Sequence, residues 1–139
     1  MWAMNVSDIM TRAPLTVGVA DKVLQAVTLM RERQIRHLPV MDGERLVGII
    51  TDRDLRWLLG QSIHGGGGPQ AEALGDQVGE VMTSNPVTVA EHAPVLTAVD
   101  LLVEKRIGGL PVTNALGALV GIITYVDVLR ACRELLRGA

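Results

Sequence analysis

Phenylalanine is absent from the 139 residues, and Trp2, Trp57 and Tyr125 are the only aromatic side chains. None of them lies in the Leu-Pro-Val or Thr-Val segments discussed below, which excludes an aromatic stack built from those segments. Cysteine is nearly absent too. Cys132 has no partner for an internal disulfide and is compatible with a reducing compartment. No C-x-x-C or H-E-x-x-H occurs, so no metal site is expected. The only lysines, Lys22 and Lys105, stand outside any G-x-x-x-x-G-K-[S/T], which excludes a phosphate loop of that type. A formal net charge of −2 lacks the strongly basic face that nucleic acid demands. Ser7, Ser62 and Ser84 are the only serines and none sits in a G-x-S-x-G elbow. The run His64-Gly-Gly-Gly67 is therefore read as linker, not as an esterase oxyanion hole. The first ten residues carry neither a basic region nor a continuous apolar stretch, so no secretion signal is expected.

What is present is a hydrophobic fraction of 48% with 20% charged residues, which belongs to a folded globular chain. Ile107 to Val126 is uncharged throughout and reaches membrane-span length. It also contains Gly108, Gly109, Pro111, Asn114, Gly117 and Gly121, breakers that suit short strands and turns. Internal repetition decides the matter. Val6 to Val40 recurs as Val78 to Val112, and Leu46-Val-Gly-Ile-Ile-Thr51 recurs as Leu119-Val-Gly-Ile-Ile-Thr124. The two copies share 23 identities over 45 aligned positions, Asp54 and Asp127 included. The first-copy equivalent of the uncharged run carries Asp42, Glu44, Arg45, Asp52 and Arg53. Two copies of one fold cannot be soluble in one case and membrane-spanning in the other, so no membrane span is expected.

Each copy is read as β-α-β-β-α. Leu15 to Val17 is extended after Pro14. Asp21 is a candidate N-cap for a helix to about Gln34, with Val23, Ala26, Val27 and Met30 on one apolar face. The second copy starts that helix at Pro94, where a missing N–H costs nothing. His37 to Val40 and Leu46 to Ile50 are strands joined by Asp42-Gly43, and Asn114 to Gly117 makes the second turn. Helices follow at about Asp52 to Leu59 and Tyr125 to Leu136. Cys132 is placed on the apolar face of the last helix with Val126, Leu129 and Leu136. The expected organisation is residues 1–60 as first motif, 61–75 as glycine-rich linker and 76–139 as second motif. A short helix from Gln70 to Leu74 leads into the second motif. The fold class is α/β (α+β), with the two motifs packed by pseudo-two-fold symmetry because one alone is too small for a good core.

Three motifs recur in order: Val6-Ser-Asp-Ile-Met-Thr11, Ile35-Arg-His-Leu-Pro-Val40 and Gly48-Ile-Ile-Thr-Asp-Arg-Asp54. Their second versions are Val78-Gly-Glu-Val-Met-Thr83, Ile107-Gly-Gly-Leu-Pro-Val112 and Gly121-Ile-Ile-Thr-Tyr-Val-Asp127. The chain resembles the CBS (cystathionine-β-synthase) domain family over almost its whole length, as the two-motif arrangement called a Bateman module. The resemblance implies a parallel-strand core between the copies with a cleft on each side. It implies adenosyl ligands (AMP, ADP, ATP, NAD(H) or S-adenosylmethionine) and dimerisation of whole modules.

Thr51 ends a strand and Asp54 lies three residues on, so their oxygens can converge. A carboxylate can accept from both vicinal hydroxyls of a ribose. The resemblance makes Asp54 and Asp127 ribose binders, helped by Thr51 and Thr124. Thr-x-x-Asp is equally a helix capping box, and both roles can coexist. Leu38, Pro39 and Val40, with Gly109, Leu110, Pro111 and Val112, would line adenine slots. Thr16, Val17, Thr88 and Val89 would form the opposite walls, or simply belong to a small core. The copies diverge where a phosphate would bind. Arg36, His37, Arg53 and Arg56 face Gly108, Gly109, Val126 and Leu129 at the matching positions, which marks the first cleft as the better phosphate site. Arg106, Arg130 and Arg133 could serve either cleft. Trp57, Leu58, Leu59, Leu135 and Leu136 are candidates for a dimer contact or for burial.

The expected function is a cytoplasmic regulatory module that binds an adenosyl ligand and signals by conformational change to an effector protein. The alternative is a ligand-free interaction or dimerisation module. No catalytic residue and no catalytic cofactor are expected, and the partners expected are the adenosyl small molecule and a second copy of the chain, not nucleic acid or membrane.

Overall fold

The computed structural model describes residues 4–65 and 72–138, with the backbone alone for 59–65. The glycine run beyond Gly65, Pro69 and the start of the expected 70–74 helix lie outside the described residues. Elements in chain order are α1 (Val6–Ile9), β1 (Thr11–Arg12), β2 (Val17–Gly18), α2 (Val23–Arg33), β3 (His37–Asp42), β4 (Arg45–Thr51) and α3 (Asp52–Gly65). The second copy supplies α4 (Val78–Val81), β5 (Thr83–Ser84), β6 (Val89–Ala90), α5 (Val95–Lys105), β7 (Gly109–Thr113), β8 (Leu119–Thr124) and α6 (Tyr125–Arg137). The helix expected to stop near Leu59 continues to Gly65, since no glycine pair or proline interrupts it earlier. Residues 61–65 of the expected linker are thus helical.

The compact units do not coincide with the sequence copies. One unit, called here the Asp54 unit, is Leu15–Pro86; the other, the Asp127 unit, is Met1–Pro14 with Val87–Ala139. The Asp54 unit holds a four-stranded sheet in the order β2-β3-β4-β5. Its β3–β4 hairpin is antiparallel with His37 opposite Thr51, β2 runs parallel to β3, and β5 adds antiparallel at Gly48–Ser84 and Ile49–Thr83. The Asp127 unit repeats this as β1-β8-β7-β6, with Thr11 opposite Ile122 and Gly109 opposite Thr124. Each copy therefore gives its opening helical turn and strand to the sheet of the other. The parallel-strand core implied by the resemblance is corrected: each sheet is mixed, with a single parallel pair. The β-α-β-β-α reading also lacked the opening turns α1 and α4, because four apolar-spaced residues give too short a periodic signal.

The cores follow the duplication. Val17, Val23, Ala26, Met30, Leu38, Val40, Ile50, Leu55 and Val78 pack together in the Asp54 unit. Val6, Met10, Val89, Ala98, Leu102, Leu110, Val112 and Ile123 do so in the other. Val78 and Val6, from the exchanged turns, are fully buried, and each such side chain contributes about 1.5–3 kcal/mol. Leu38, Pro39 and Val40 are buried consecutively, so β3 is covered on both faces. Pro39 is tolerated there because β2 first pairs one residue later, at Val40.

Local details depart from expectation at three points. Asp21 does not cap α2: its Oδ2 accepts the Gly18 N–H at 2.7 Å, closing the preceding turn. The helix begins at Val23, and Gln25 Oε1 accepts the Lys22 N–H at 2.8 Å. Pro94 sits at the N-cap of α5, not inside it. Cys132 is exposed and not core, and Leu129 and Leu136 beside it are 60% and 76% exposed. Asp127 is the one buried residue of α6; Val128 packs against the core from the same helix, while the stripe of Val126, Leu129 and Leu136 is exposed.

The exchanged strands fit only because Gly48 and Gly121 lack side chains. A Cβ on Gly48 would lie 2.8 Å from the Thr83 carbonyl oxygen and collide with Met82 Sδ, and one on Gly121 would lie 2.9 Å from the Thr11 carbonyl oxygen. Gly48→Ala is expected to lower stability by about 1–3 kcal/mol in urea unfolding, as overpacking does. A neutral result would mean β5 yields freely. Ala13 adopts a left-handed φ of 46°, and its counterpart Asn85 one of 51°. Asparagine tolerates that region better than alanine, so Ala13→Asn should raise stability by about 0.5–1 kcal/mol in the same assay.

Candidate functional site

The carboxylates of Asp54 and Asp127 occupy the first turn of the helix that leaves the longest strand of each unit. Thr51 is the last residue of β4, and its backbone N–H and hydroxyl donate to Asp54 Oδ2 at 3.0 and 3.1 Å. The Asp54 N–H returns a bond to Thr51 Oγ1 at 3.2 Å. The capping box is thus formed, and it commits one carboxylate oxygen. Asp54 Oδ1 has no hydrogen-bond partner among the described residues. Asp54 is half-buried and borders a cleft of about 500 Å³, also lined by Arg53, Trp57, Leu58, Glu80 and Val81.

The duplicate site has the same cap. Thr124 N–H and hydroxyl donate to Asp127 Oδ2 at 2.8 and 3.1 Å, and the Asp127 N–H reaches Thr124 Oγ1 at 3.4 Å. There the second oxygen is also engaged: the Thr11 hydroxyl donates to Asp127 Oδ1 at 3.0 Å. Asp127 is only 6% exposed.

His37 opens β3 directly opposite Thr51, which brings the imidazole to the strand end that carries Asp54. Burial holds its pKa below the ordinary histidine value; Asp52 and Asp54 oppose that shift and Arg36 adds to it. Arg36 and Arg53 are exposed at the same end of the unit. Arg56 is drawn to Asp52, 3.7 Å away and one helical turn back. Arg106, Arg130 and Arg133 lie in the Asp127 unit and are exposed, Arg133 within 3.9 Å of Glu134.

The remaining expected site residues divide by burial. Thr16 and Thr88 are exposed, while Val17, Leu38, Pro39, Val89, Gly109, Leu110 and Pro111 are buried. The Leu-Pro-Val and valine side chains accordingly build the floor of each unit, and only their neighbours reach solvent. The structure adds residues that sequence reasoning did not assign to a site. Trp57, 66% exposed, stands one turn beyond Asp54 on α3, a spacing of three that already put it on the carboxylate's face. Glu80 and Val81 come from α4 of the other copy, and only knowledge of the strand exchange could have placed them. Among the described residues no helix is long and apolar enough to cross a membrane, and no group of three or more metal-ligating side chains occurs.

The CBS domain model of protein families matches this chain twice, at residues 6–60 and 78–134. A CBS domain-containing protein of Dictyostelium discoideum is 33% identical over 127 residues, 89% of this chain and 88% of its own length. The inosine-5′-monophosphate dehydrogenase of Thermoplasma acidophilum is 32% identical over 121 residues, but the chain spans only 22% of that enzyme. Among solved structures, the CBS-pair protein CBSX2 from Arabidopsis thaliana superposes with a TM-score of 0.83 at 33% identity, covering 99% of both chains. CBSX2 has also been solved in complex with AMP. The CBS domain pair of protein MJ0100, in complex with 5′-methylthioadenosine and S-adenosyl-L-methionine, superposes with a TM-score of 0.81 at 28% identity, covering 95% and 98%. Two successive matches in register with the two copies, each carrying its Thr-x-x-Asp cap, make this chain a member of the CBS domain family with a pair of CBS motifs.

Proposed function

We propose that the chain is a regulatory module that binds an adenosyl compound and passes the binding on as a change of conformation. The observation that carries this reading is the open Oδ1 of Asp54 beside a cleft of about 500 Å³. A ribose presents two adjacent hydroxyl donors, and a carboxylate whose other oxygen is locked by the helix cap offers them a fixed acceptor. Arg36, His37 and Arg53 would meet a phosphate, and the backbone about Leu38 and Pro39, with Thr16 and Val17, would meet the base. Thr88, Val89, Gly109, Leu110, Pro111, Thr124 and Asp127 would be the corresponding contacts of a ligand admitted to the second motif. AMP and S-adenosylmethionine, which related pairs hold, are the first ligands to test. Ligand shifts a conformational equilibrium only by its differential affinity for the two states.

The reading also proposes regulation in the cytoplasm without catalysis by this chain, with an effector protein that reads the bound state. A homodimer is proposed through apolar helix faces. Exposed Val126, Leu129 and Leu136 on α6 support that contact, and sedimentation of the purified chain measures it.

A thermal-shift series tests the ligand. At a concentration of 100 Kd a true ligand stabilises by about 2.7 kcal/mol. AMP, ADP, ATP, NADH and S-adenosylmethionine are compared, and Asp54→Asn, which keeps an acceptor for the cap, should remove most of the shift. No shift with any of them would sink the reading. Arg36→Ala should weaken ATP more than adenosine; equal loss would exclude a phosphate role.

The histidine gives a separate test in the free protein. Burial lowers the folded-state pKa of His37 below its unfolded value of about 6.5. The unfolded chain then binds more protons in that range, so the contribution of His37 is complete above pH ~6.5 and is lost as pH falls through the folded pKa. Melting temperature should drop between pH 7.5 and 5.5, and His37→Gln should flatten part of that drop. An unchanged slope would mean the imidazole is freely solvated.

A further inference from the structure

The two caps are alike, but their carboxylates are not equally available. A carboxylate offers about four lone-pair positions. In the Asp54 unit the cap takes two of them, both on Oδ2, from the Thr51 N–H and hydroxyl. Among the described residues both positions on Oδ1 remain, which matches the two donors of a vicinal diol. In the Asp127 unit the cap takes the same two, and the Thr11 hydroxyl takes a third on Oδ1 at 3.0 Å. One position remains, which is short of a diol by one.

The difference does not come from the backbone. Thr11 and Thr83 occupy matching places, the first facing Ile122 on β8 and the second facing Ile49 on β4. The surroundings of the two acids differ as well. Asp54 has His37 and Arg36 at the same strand end, where the other unit has Gly109 and Gly108, and Arg53 where it has Val126. At those three positions Asp127 has two glycines and a valine, and it is almost wholly buried. A buried carboxylate is stabilised when both oxygens are hydrogen-bonded; the cap serves Oδ2 and the Thr11 hydroxyl serves Oδ1.

We propose that the chain has a single diol-ready carboxylate, Asp54, and that Thr11 acts as an internal occupant of the second site, so that a ribose reaching Asp127 must first displace the Thr11 hydroxyl. The inference rests on the adenosyl reading and adds its stoichiometry: one ligand per chain, bound in the Asp54 unit, with Thr11 as the residue that sets the difference.

Titration calorimetry of the full chain with AMP reads the stoichiometry. The wild type should take up one AMP per chain, Asp54→Asn should abolish that uptake, and Thr11→Val should raise it to two. Two AMP per wild-type chain, or one per chain in Thr11→Val, would overturn the proposal. A second measurement needs no ligand. Thr11→Val and Thr83→Val make the same change at the same strand position, so their effects on strand propensity cancel in the comparison. Thr11→Val should melt several degrees below Thr83→Val, because only Thr11 holds a buried carboxylate. Equal melting temperatures would overturn the internal contact. Absence of AMP binding together with unequal melts would instead condemn the adenosyl reading and leave the Thr11–Asp127 contact standing.

Discussion

Everything in this chain depends on the close approach of β5 to Gly48 and of β1 to Gly121. At those two positions a strand from one copy lies on a sheet of the other, with its carbonyl oxygens inside the space a side chain would need. The contact brings Val78 and Val6 into cores that their own copies do not form. It also delivers Glu80, Val81 and Thr11 to the two carboxylates. Packing, sheet order and site composition thus share one steric condition.

The site itself is an economy of acceptors. The Thr-x-x-Asp spacing caps the start of α3 and of α6, and the cap uses one oxygen of each aspartate. Only the remaining oxygen can serve a ligand. Helix initiation and recognition are therefore not competing explanations of the motif. The first orients the carboxylate, and the proposed recognition would use the part left over. What distinguishes the two sites lies outside the motif: basic residues beside Asp54, a threonine hydroxyl on Asp127.

Much of this was legible in the sequence because the chain says it twice. The hairpins, the central helices with Val23, Ala26 and Met30 inside, and the pairing of Thr51 with Asp54 all rest on local spacing, and local spacing survives duplication. The exchange of opening segments was not legible. Thr11 and Asp127 are 116 residues apart, and no periodicity reports a contact of that range. Trp57 stands at a readable spacing from Asp54, yet a tryptophan on a helix face suits a dimer contact or a core as well as a cleft wall. Asp21 and Cys132 show the other limit. A polar residue before a helix can close a turn instead of capping, and an amphipathic helix does not say whether its apolar face is covered.

The strand exchange has a bearing on where such a chain can come from. A single copy, with its opening strand laid on a different sheet, leaves its own sheet one strand short. Only another copy can supply that strand. A one-copy forerunner of this duplicated chain would then have been complete only as two polypeptides trading their first fourteen or so residues. Fusion of the genes would have turned an encounter between molecules into a tether.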